Sequence, residues 1–307
     1  MKNRAKRISD LALPRQQRNW DGRAAANFIA GGAGGALLLM AAVAGLGTEA
    51  TRTAILLGLV LIGCGLTCVW FEIGRPWRAL NVYRHFATSW MTREAVVAVA
   101  VFAAGGLAFL TVWPPLVFLT GLAGLAFLYS QARILAANKG IPAWRHPRSV
   151  PLMVATGLAE GAGFLACVAS LSSPLAGVWV LAGLIALIAG RAFFWKSYLA
   201  GLTADGAPIA VLKVLSGMDS KLMLFGHVLP ALAVMAALAE MPGRNGWVLS
   251  AGFMVVASGW FLKHALVLRA GFTQGLALLH VPVRGGGTAG PAAKPGWKIM
   301  PDAKAEY

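Results

Sequence analysis

Three carboxylates, Glu72, Glu94 and Glu160, fall at the ends or in the middle of long apolar segments. An ionisable group within a bilayer is costly and marks a functional position by default. Glu72 ends the second segment and Glu94 begins the third, so we expect both at one membrane boundary of a helical hairpin. A partly desolvated carboxylate there suits proton exchange with a small polar head group. Structural pairing with Arg75 or Arg93 is the alternative for both.

Glu160 lies near the middle of the fifth apolar segment and is therefore a candidate proton relay. A buried hydrogen bond between helices explains this position equally well. His264, with Lys263 beside it, ends the last apolar segment and is a candidate for the same pocket as Glu72, or else an interfacial residue. Tyr129 belongs to the aromatic residues near that boundary, any of which could cover a flat ring or form part of an interfacial belt.

Metal chemistry within this chain is not indicated. The three cysteines lie inside apolar segments and have no pair spacing typical of a metal site: Cys64, Cys68 and Cys167. A protein with two haems needs four axial ligands, whereas only His227 and His264 of the five histidines fall in apolar segments. We expect His227 at the start of the seventh segment. We therefore expect no metal, haem or iron–sulfur cluster here.

The elements that position these residues are predicted to be membrane-spanning helices. The chain is 58% hydrophobic and only 12% charged, with a mean hydropathy of +0.69, whereas soluble domains carry about 25% charged residues. A spanning helix needs about 20 apolar residues. Eight segments qualify: 24–46, 52–72, 93–113, 115–137, 151–171, 175–198, 221–240 and 247–270. We predict an all-α integral membrane protein, a bundle of eight transmembrane helices in one domain.

The distribution of positive charge predicts how this bundle sits in the membrane. Eight crossings place 25 of the 27 lysines and arginines on one side and only Arg52 and Arg244 on the other. Cytoplasmic loops collect lysine and arginine. We therefore predict a multi-pass protein of the cytoplasmic membrane with a basic cytoplasmic N-terminal tail (1–23) and a flexible cytoplasmic C-terminal tail (271–307). The connections on the cytoplasmic side are expected to be the longer ones and to offer more surface to a soluble partner.

The hairpin sequence EIGRPWRALNVYRHFATSWMTREA, residues 72–95, resembles the signature of the DMSO reductase anchor subunits (DmsC-like), which are related to the NrfD/PsrC-type quinone-interacting subunits. The resemblance depends on a glycine- and proline-containing turn and on the start of the next helix: Gly74, Arg75, Pro76, Arg78, Ala79, Thr88, Ser89, Trp90, Arg93 and Glu94. A weaker similarity covers residues 261–280. The match at Glu94 is direct, whereas Glu72 stands where the family often has histidine.

This resemblance implies a membrane anchor of a multisubunit molybdenum or tungsten iron–sulfur oxidoreductase. The anchor would bind quinone or quinol, with menaquinol and anaerobic respiration as the expected setting, and would exchange electrons with a ferredoxin-like iron–sulfur subunit. A molybdopterin catalytic subunit would complete the complex. The chain would react with quinone but not with the main substrate. Its implied site has Glu94 and Glu72 as reacting groups, and Arg75, Arg93, Tyr129 and His264 as pocket residues.

The predicted cytoplasmic position of the hairpin would suit a substrate confined to the cell, such as a CoA thioester of the phenylacetyl-CoA type. Two other interpretations remain open. The chain could be a secondary transporter or ion-translocating subunit that uses Glu160 and the hairpin charges. It could also be a scaffold without quinone contact.

Overall fold

Eight long helices form the protein in the residues that the structure describes. A computed structural model gives residues 13–72, 86–172 and 177–275. Each of the eight helices in these ranges is long and apolar enough to cross a membrane, which confirms the predicted fold class. In chain order they are α1 (Gly22–Val43), α2 (Thr48–Glu72), α3 (Trp90–Thr111), α4 (Pro114–Ala136), α5 (Ser149–Ser172), α6 (Val178–Ala204), α7 (Ile209–Leu238) and α8 (Arg244–Arg269).

Helices α1 and α5 lie at the centre of the bundle. Helix α1 packs against α2, α4 and α5, whereas α5 also packs against α6 and α8. These two helices are the most buried of the eight, and both contain many small residues. Because apolar side chains gain little from leaving lipid, close backbone contact becomes a main source of helix association. A Cβ atom on Gly252 of α8 would lie 2.5 Å from the Gly163 carbonyl oxygen of α5, so a larger residue would separate the helices.

The connection between α6 and α7 differs from the sequence prediction. The predicted spans left a connection from 199 to 220, but the two helices are joined only by residues 205–208. The first half of α7, Ile209–Met223, buries one face, including Val211 and Leu215, while Lys213 is exposed. Its charged residues lowered the hydropathy below that of a span, although an amphipathic helix tolerates them on its exposed face. His227 therefore lies deep within α7 and not at its start.

The two chain ends meet on one face of the bundle. Gln17 donates its backbone N–H to the Gly271 carbonyl oxygen at 2.7 Å, and Thr273 donates to the Arg15 carbonyl oxygen at 2.8 Å. The first residues of the predicted C-terminal tail are thus paired with the N-terminal segment. Residues 1–12 and 276–307 of the two predicted tails lie outside the described part of the chain. We call this side, where α1 begins and α8 ends, the basic face.

Candidate functional site

Glu94 lies in a buried polar site between α1, α3 and α4. Its side chain is 7% exposed, and Asn27 donates from Nδ2 to Glu94 Oε1 at 3.3 Å. Gln131 is a second side-chain hydrogen-bond partner of Glu94 and also donates from Nε2 to the Asn27 carbonyl oxygen at 3.0 Å. Asn27 begins a π-helical turn of α1, Asn27–Gly31, a distortion that is frequent at functional sites. The site thus has one carboxylate, two amides and no basic partner among these contacts.

The residues before Glu94 explain why α3 begins where it does. Ser89 has extended backbone angles, and its hydroxyl accepts the Thr92 N–H at 3.4 Å, so it caps the helix. Arg93 donates from Nε to the Phe86 carbonyl oxygen at 3.1 Å and from Nη2 to the Ala87 carbonyl oxygen at 2.7 Å. Arg93 therefore holds the preceding loop in place. These contacts place Glu94 in the second turn of α3.

An aromatic and cationic cluster lies beside this site. The Arg93 and Arg133 guanidinium carbons lie 4.3 Å and 4.7 Å from the centre of the Trp90 ring. Tyr129 contacts Trp90 edge-on at 5.8 Å, and its hydroxyl accepts from Arg133 Nη1 at 3.3 Å. Trp90 is four residues before Glu94 and hence on the same face of α3. The structure thus brings the predicted residues Arg93 and Tyr129 to the Glu94 region.

The structure keeps Glu72 apart from this buried site. Glu72 ends α2 in a partly exposed position, close to Asp21 and Arg23 at the start of α1. Arg23 donates from Nη1 to the Phe71 carbonyl oxygen at 2.6 Å and pairs with Asp21 at 2.8 Å. This side-chain bond lowers the pKa of Asp21. Both carboxylates lie near the basic face, as predicted, but in different surroundings. Arg75 lies outside the described residues.

Glu160 forms a fully buried ion pair with Lys263. Lys263 Nζ lies 2.5 Å from Glu160 Oε2, and neither side chain is exposed. Gly259, one turn before Lys263 on α8, makes room for this pair, since a Cβ atom there would collide with the Glu160 carboxyl group. His264 is exposed, and so the structure does not bring it into the buried site. Its neighbour Lys263 occupies the interior instead.

Arg191 is the main residue of this region that the sequence interpretation missed. Its guanidinium is fully buried and donates from Nη1 to the Val255 carbonyl oxygen at 2.9 Å, from Nη2 to Ser258 Oγ at 3.1 Å, and to the Gly226 carbonyl oxygen. Its Nε donates to His227 Nε2 at 3.3 Å. Arg191 and Lys263 had been counted with the charges of the basic side, whereas both lie within the bundle. Apolar residues on both sides of Arg191 were the available signal.

Metal ligands do not cluster in the part of the chain that the structure describes. No three histidine, cysteine, aspartate or glutamate side chains there are arranged to hold a metal ion. The three cysteines of these ranges carry free thiols.

Comparison with known proteins identifies the family. The family model of the DMSO reductase anchor subunit (DmsC) matches residues 28–189, which is more than half of the chain. The chain belongs to the DMSO reductase anchor subunit family. This confirms the resemblance proposed from the hairpin sequence. Members of this anchor family are membrane-integral subunits of oxidoreductase complexes.

A curated relative is one of the subunits of the sulfite dehydrogenase of Allochromatium vinosum. It is 30% identical over 125 residues, which cover 34% of this chain and 38% of the relative. The chain therefore matches less than two thirds of that relative's length. The DMSO reductase anchor match contains Glu94 and Glu160, whereas Arg191, His227 and Lys263 follow its last matched residue.

Proposed function

We propose that this anchor subunit binds quinone or quinol beside Glu94 and exchanges its electrons with an iron–sulfur partner subunit. The observation that carries the proposal is the buried Glu94 carboxylate, which has amide partners but no basic partner among its described contacts. A carboxylate in such surroundings can take up and release a proton without first breaking an ion pair. Its position near the basic face suits a head group whose apolar tail stays in the bilayer.

The residues around Glu94 fit a quinol head group. Asn27 Oδ1 and Gln131 Oε1 are buried acceptor oxygens without a described protein partner. Buried acceptors are rarely left without a donor, and the two hydroxyl groups of a quinol are donors of the right kind. The half-buried Trp90 ring and the exposed Tyr129 ring, which contact each other edge-on, offer flat apolar surfaces on the Glu94 face of α3. A ring with polar groups at its two ends matches both features.

Each of these residues has a defined task in the proposed reaction. Quinone chemistry supplies two electrons and two protons per molecule. Glu94 holds the transferred proton, since it is the only carboxylate of the described buried site. Asn27 and Gln131 orient Glu94 and the head group through their amides. Arg93 and Arg133 both contact the Trp90 ring and so hold it in place as a wall of the site.

The partners are proposed to dock on the basic face in the cytoplasm. A ferredoxin-like iron–sulfur subunit would lie nearest to Glu94, and a molybdopterin catalytic subunit would bind to it. The one-sided distribution of lysine and arginine supports this orientation even after Arg191 and Lys263 are removed from the count. A cytoplasmic complex would suit a CoA thioester of the phenylacetyl-CoA type. The named relative favours a sulfur oxyanion such as sulfite instead.

The proposal is tested by Glu94→Gln in the purified complex. We expect quinol-dependent turnover to fall by about 10²–10⁴-fold, the range for loss of a general acid–base group, while the complex assembles normally. Glu49→Gln is the matched control, because Glu49 is an exposed carboxylate at the opposite face, paired with Arg52. Turnover at the normal rate in Glu94→Gln would contradict the assignment.

Co-purification separates this function from a transporter and from a scaffold. An anchor of this type should bring down an iron–sulfur subunit and a molybdopterin subunit, and their identity decides between the two substrate classes. A transporter should purify without them and move a solute across liposome membranes. A scaffold should assemble with both partners, but quinone-site inhibitors should leave the complex fully active.

A further inference from the structure

The buried pair Glu160–Lys263 takes no part in the reaction proposed above, yet polar side chains connect it to the Glu94 site. Lys263 Nζ and Gln131 Oε1 both lie against Gly32, at 2.8 Å and 3.2 Å from the position that a Cβ atom would take there. Gln131 contacts Asn27, and Asn27 contacts Glu94. We propose that Glu160 and Lys263 form an internal proton-exchange pair that serves the Glu94 site from the basic face. This inference rests on the proposed function of Glu94.

Unsatisfied acceptors mark the line from Glu94 to Glu160. Three buried oxygens, Asn27 Oδ1, Gln131 Oε1 and Glu160 Oε1, have no described hydrogen-bond partner in the protein. Buried polar atoms of this kind are bonded to internal water when no protein donor is present. Water donors at these three oxygens complete a chain of hydrogen bonds between the Glu94 and Glu160 carboxylates. Protons can move along such a line by short transfers.

Stability alone does not account for the ion pair. Removing two charges from a polar environment costs several kcal/mol for each ion, and apolar residues of similar volume often stabilise a protein at least as well. Glu160 also interacts electrostatically with Arg191, so two cations surround one carboxylate. The short contact between Lys263 Nζ and Glu160 Oε2 is one along which a proton can pass. A pair of this kind suits transfer better than it suits packing.

The line continues from the pair to the surface at the basic face. Arg191 lies next to His227, whose Nδ1 lies 3.0 Å from the Leu222 carbonyl oxygen and therefore carries the hydrogen. Asp219 and Lys196 are close enough to His227 to act on it electrostatically. Lys196 pairs with Asp219 at 2.6 Å, and its side chain is 51% exposed. These groups connect the interior pair to water.

The opposite face offers no such route within the described residues. In the third of each helix nearest that face, the structure buries no ionisable side chain. Small and aliphatic residues fill the space, such as Ala166, Leu181 and Val248. For each quinol oxidised, two electrons pass to the iron–sulfur clusters of the partner and two protons leave through Glu94 and this line. The electrons and the protons therefore leave toward the same face, and no net charge crosses the membrane.

The test uses the purified complex with Glu160→Gln, Lys263→Met and the double variant. Glu160→Gln leaves two buried cations without a carboxylate, and Lys263→Met leaves the Glu160 carboxylate without its direct partner, so each should lower the yield of assembled complex. The double variant removes both members of the pair and leaves Arg191 with its carbonyl and hydroxyl acceptors, so it should assemble normally and bind a quinone-site inhibitor with unchanged affinity. Its turnover of a short-chain naphthoquinol should fall by about 10²-fold, the lower end of the range for loss of a proton-transfer group. The rate ratio between H2O and D2O should increase, and imidazole should restore part of the rate.

Two measurements can overturn this inference. If the double variant has the normal turnover rate and the normal ratio of rates in H2O and D2O, the pair has only a structural role. A membrane potential that develops during turnover in liposomes would mean that the line crosses the bilayer. The control is the double variant Glu49→Gln with Lys221→Met, which changes two exposed side chains. If the native complex binds no quinone-site inhibitor, the function proposed for Glu94 is wrong. This measurement needs no variant, so it separates failure of the proposed function from failure of this inference.

Discussion

Two buried carboxylates of this protein have opposite surroundings, and the difference indicates what each one does. Glu94 is bonded to the amides of Asn27 and Gln131 near the basic face. Glu160 is deeper and pairs with Lys263, with Arg191 nearby. Amides can serve either protonation state of a carboxylate, whereas cations stabilise only the ionised one. The first arrangement suits a group that reacts with a ligand, and the second suits a pair that exchanges a proton internally.

The cationic core should be much more sensitive to loss of a charge than a surface pair. Arg191→Leu removes the hydrogen bonds to three carbonyl or hydroxyl oxygens and leaves Glu160 with one cation. We expect a loss of stability of about 3–5 kcal/mol, because several buried acceptors lose their donor at about 1–3 kcal/mol each. Thermal unfolding in detergent measures this. Arg52→Leu breaks the exposed pair with Glu49 and should cost about 1 kcal/mol or less. Equal losses of stability in Arg191→Leu and Arg52→Leu would mean that the buried arginine contributes no more to stability than a surface ion pair.

Packing around Glu160 can be tested without changing any charge. Gly259→Ala places a methyl group against the Glu160 carboxyl group, which Lys263 holds in place. We expect a loss of about 1–3 kcal/mol, typical of an overpacked core. Gly190→Ala is the matched control, because a Cβ atom at Gly190 meets nothing within 4 Å. If both variants unfold at the same temperature, the pair is not held tightly.

The Glu94 site should respond to loss of a neutral donor with a smaller change. Asn27→Leu removes the hydrogen bond to Glu94 and leaves a buried acceptor without its partner. We expect a loss of stability of about 1–2 kcal/mol, together with weaker binding of a quinone-site inhibitor. Inhibitor titration and thermal unfolding measure the two effects. An unchanged affinity would show that Asn27 does not orient the site.

The cap at the start of α3 should contribute less to stability than the buried sites described above. Ser89→Ala removes the hydroxyl that accepts the Thr92 N–H. We expect a loss of about 1 kcal/mol, as for other helix caps, and quinol turnover close to normal. Ser89→Asp keeps a capping oxygen and should restore the lost stability. A large loss of turnover in Ser89→Ala would place the cap within the site instead of beside it.

Some features of the fold could be predicted from the sequence and others could not, for physical reasons. Seven of the eight predicted spans agree with the observed helices within a few residues at most ends. The cost of burying polar backbone in lipid is a local property, so the apolar sequence of each segment determines where its helix lies. The predicted seventh span, 221–240, begins twelve residues after the observed start of α7 at Ile209, because Lys213, Asp219 and Lys221 reduce the local hydropathy. Only the neighbouring helices decide that these charges lie on an exposed or paired face.

The sequence by itself determined the eight-helix class, the one-sided charge and the depths of Glu94 and Glu160, because apolar length and helical rise are set along the chain. The tertiary structure alone decided which charges meet. Lys263 and His264 are neighbours in sequence, yet one is buried against Glu160 and the other is exposed. A helix turns about 100° per residue, so adjacent side chains face different surroundings. Those surroundings are formed by helices that are distant along the chain.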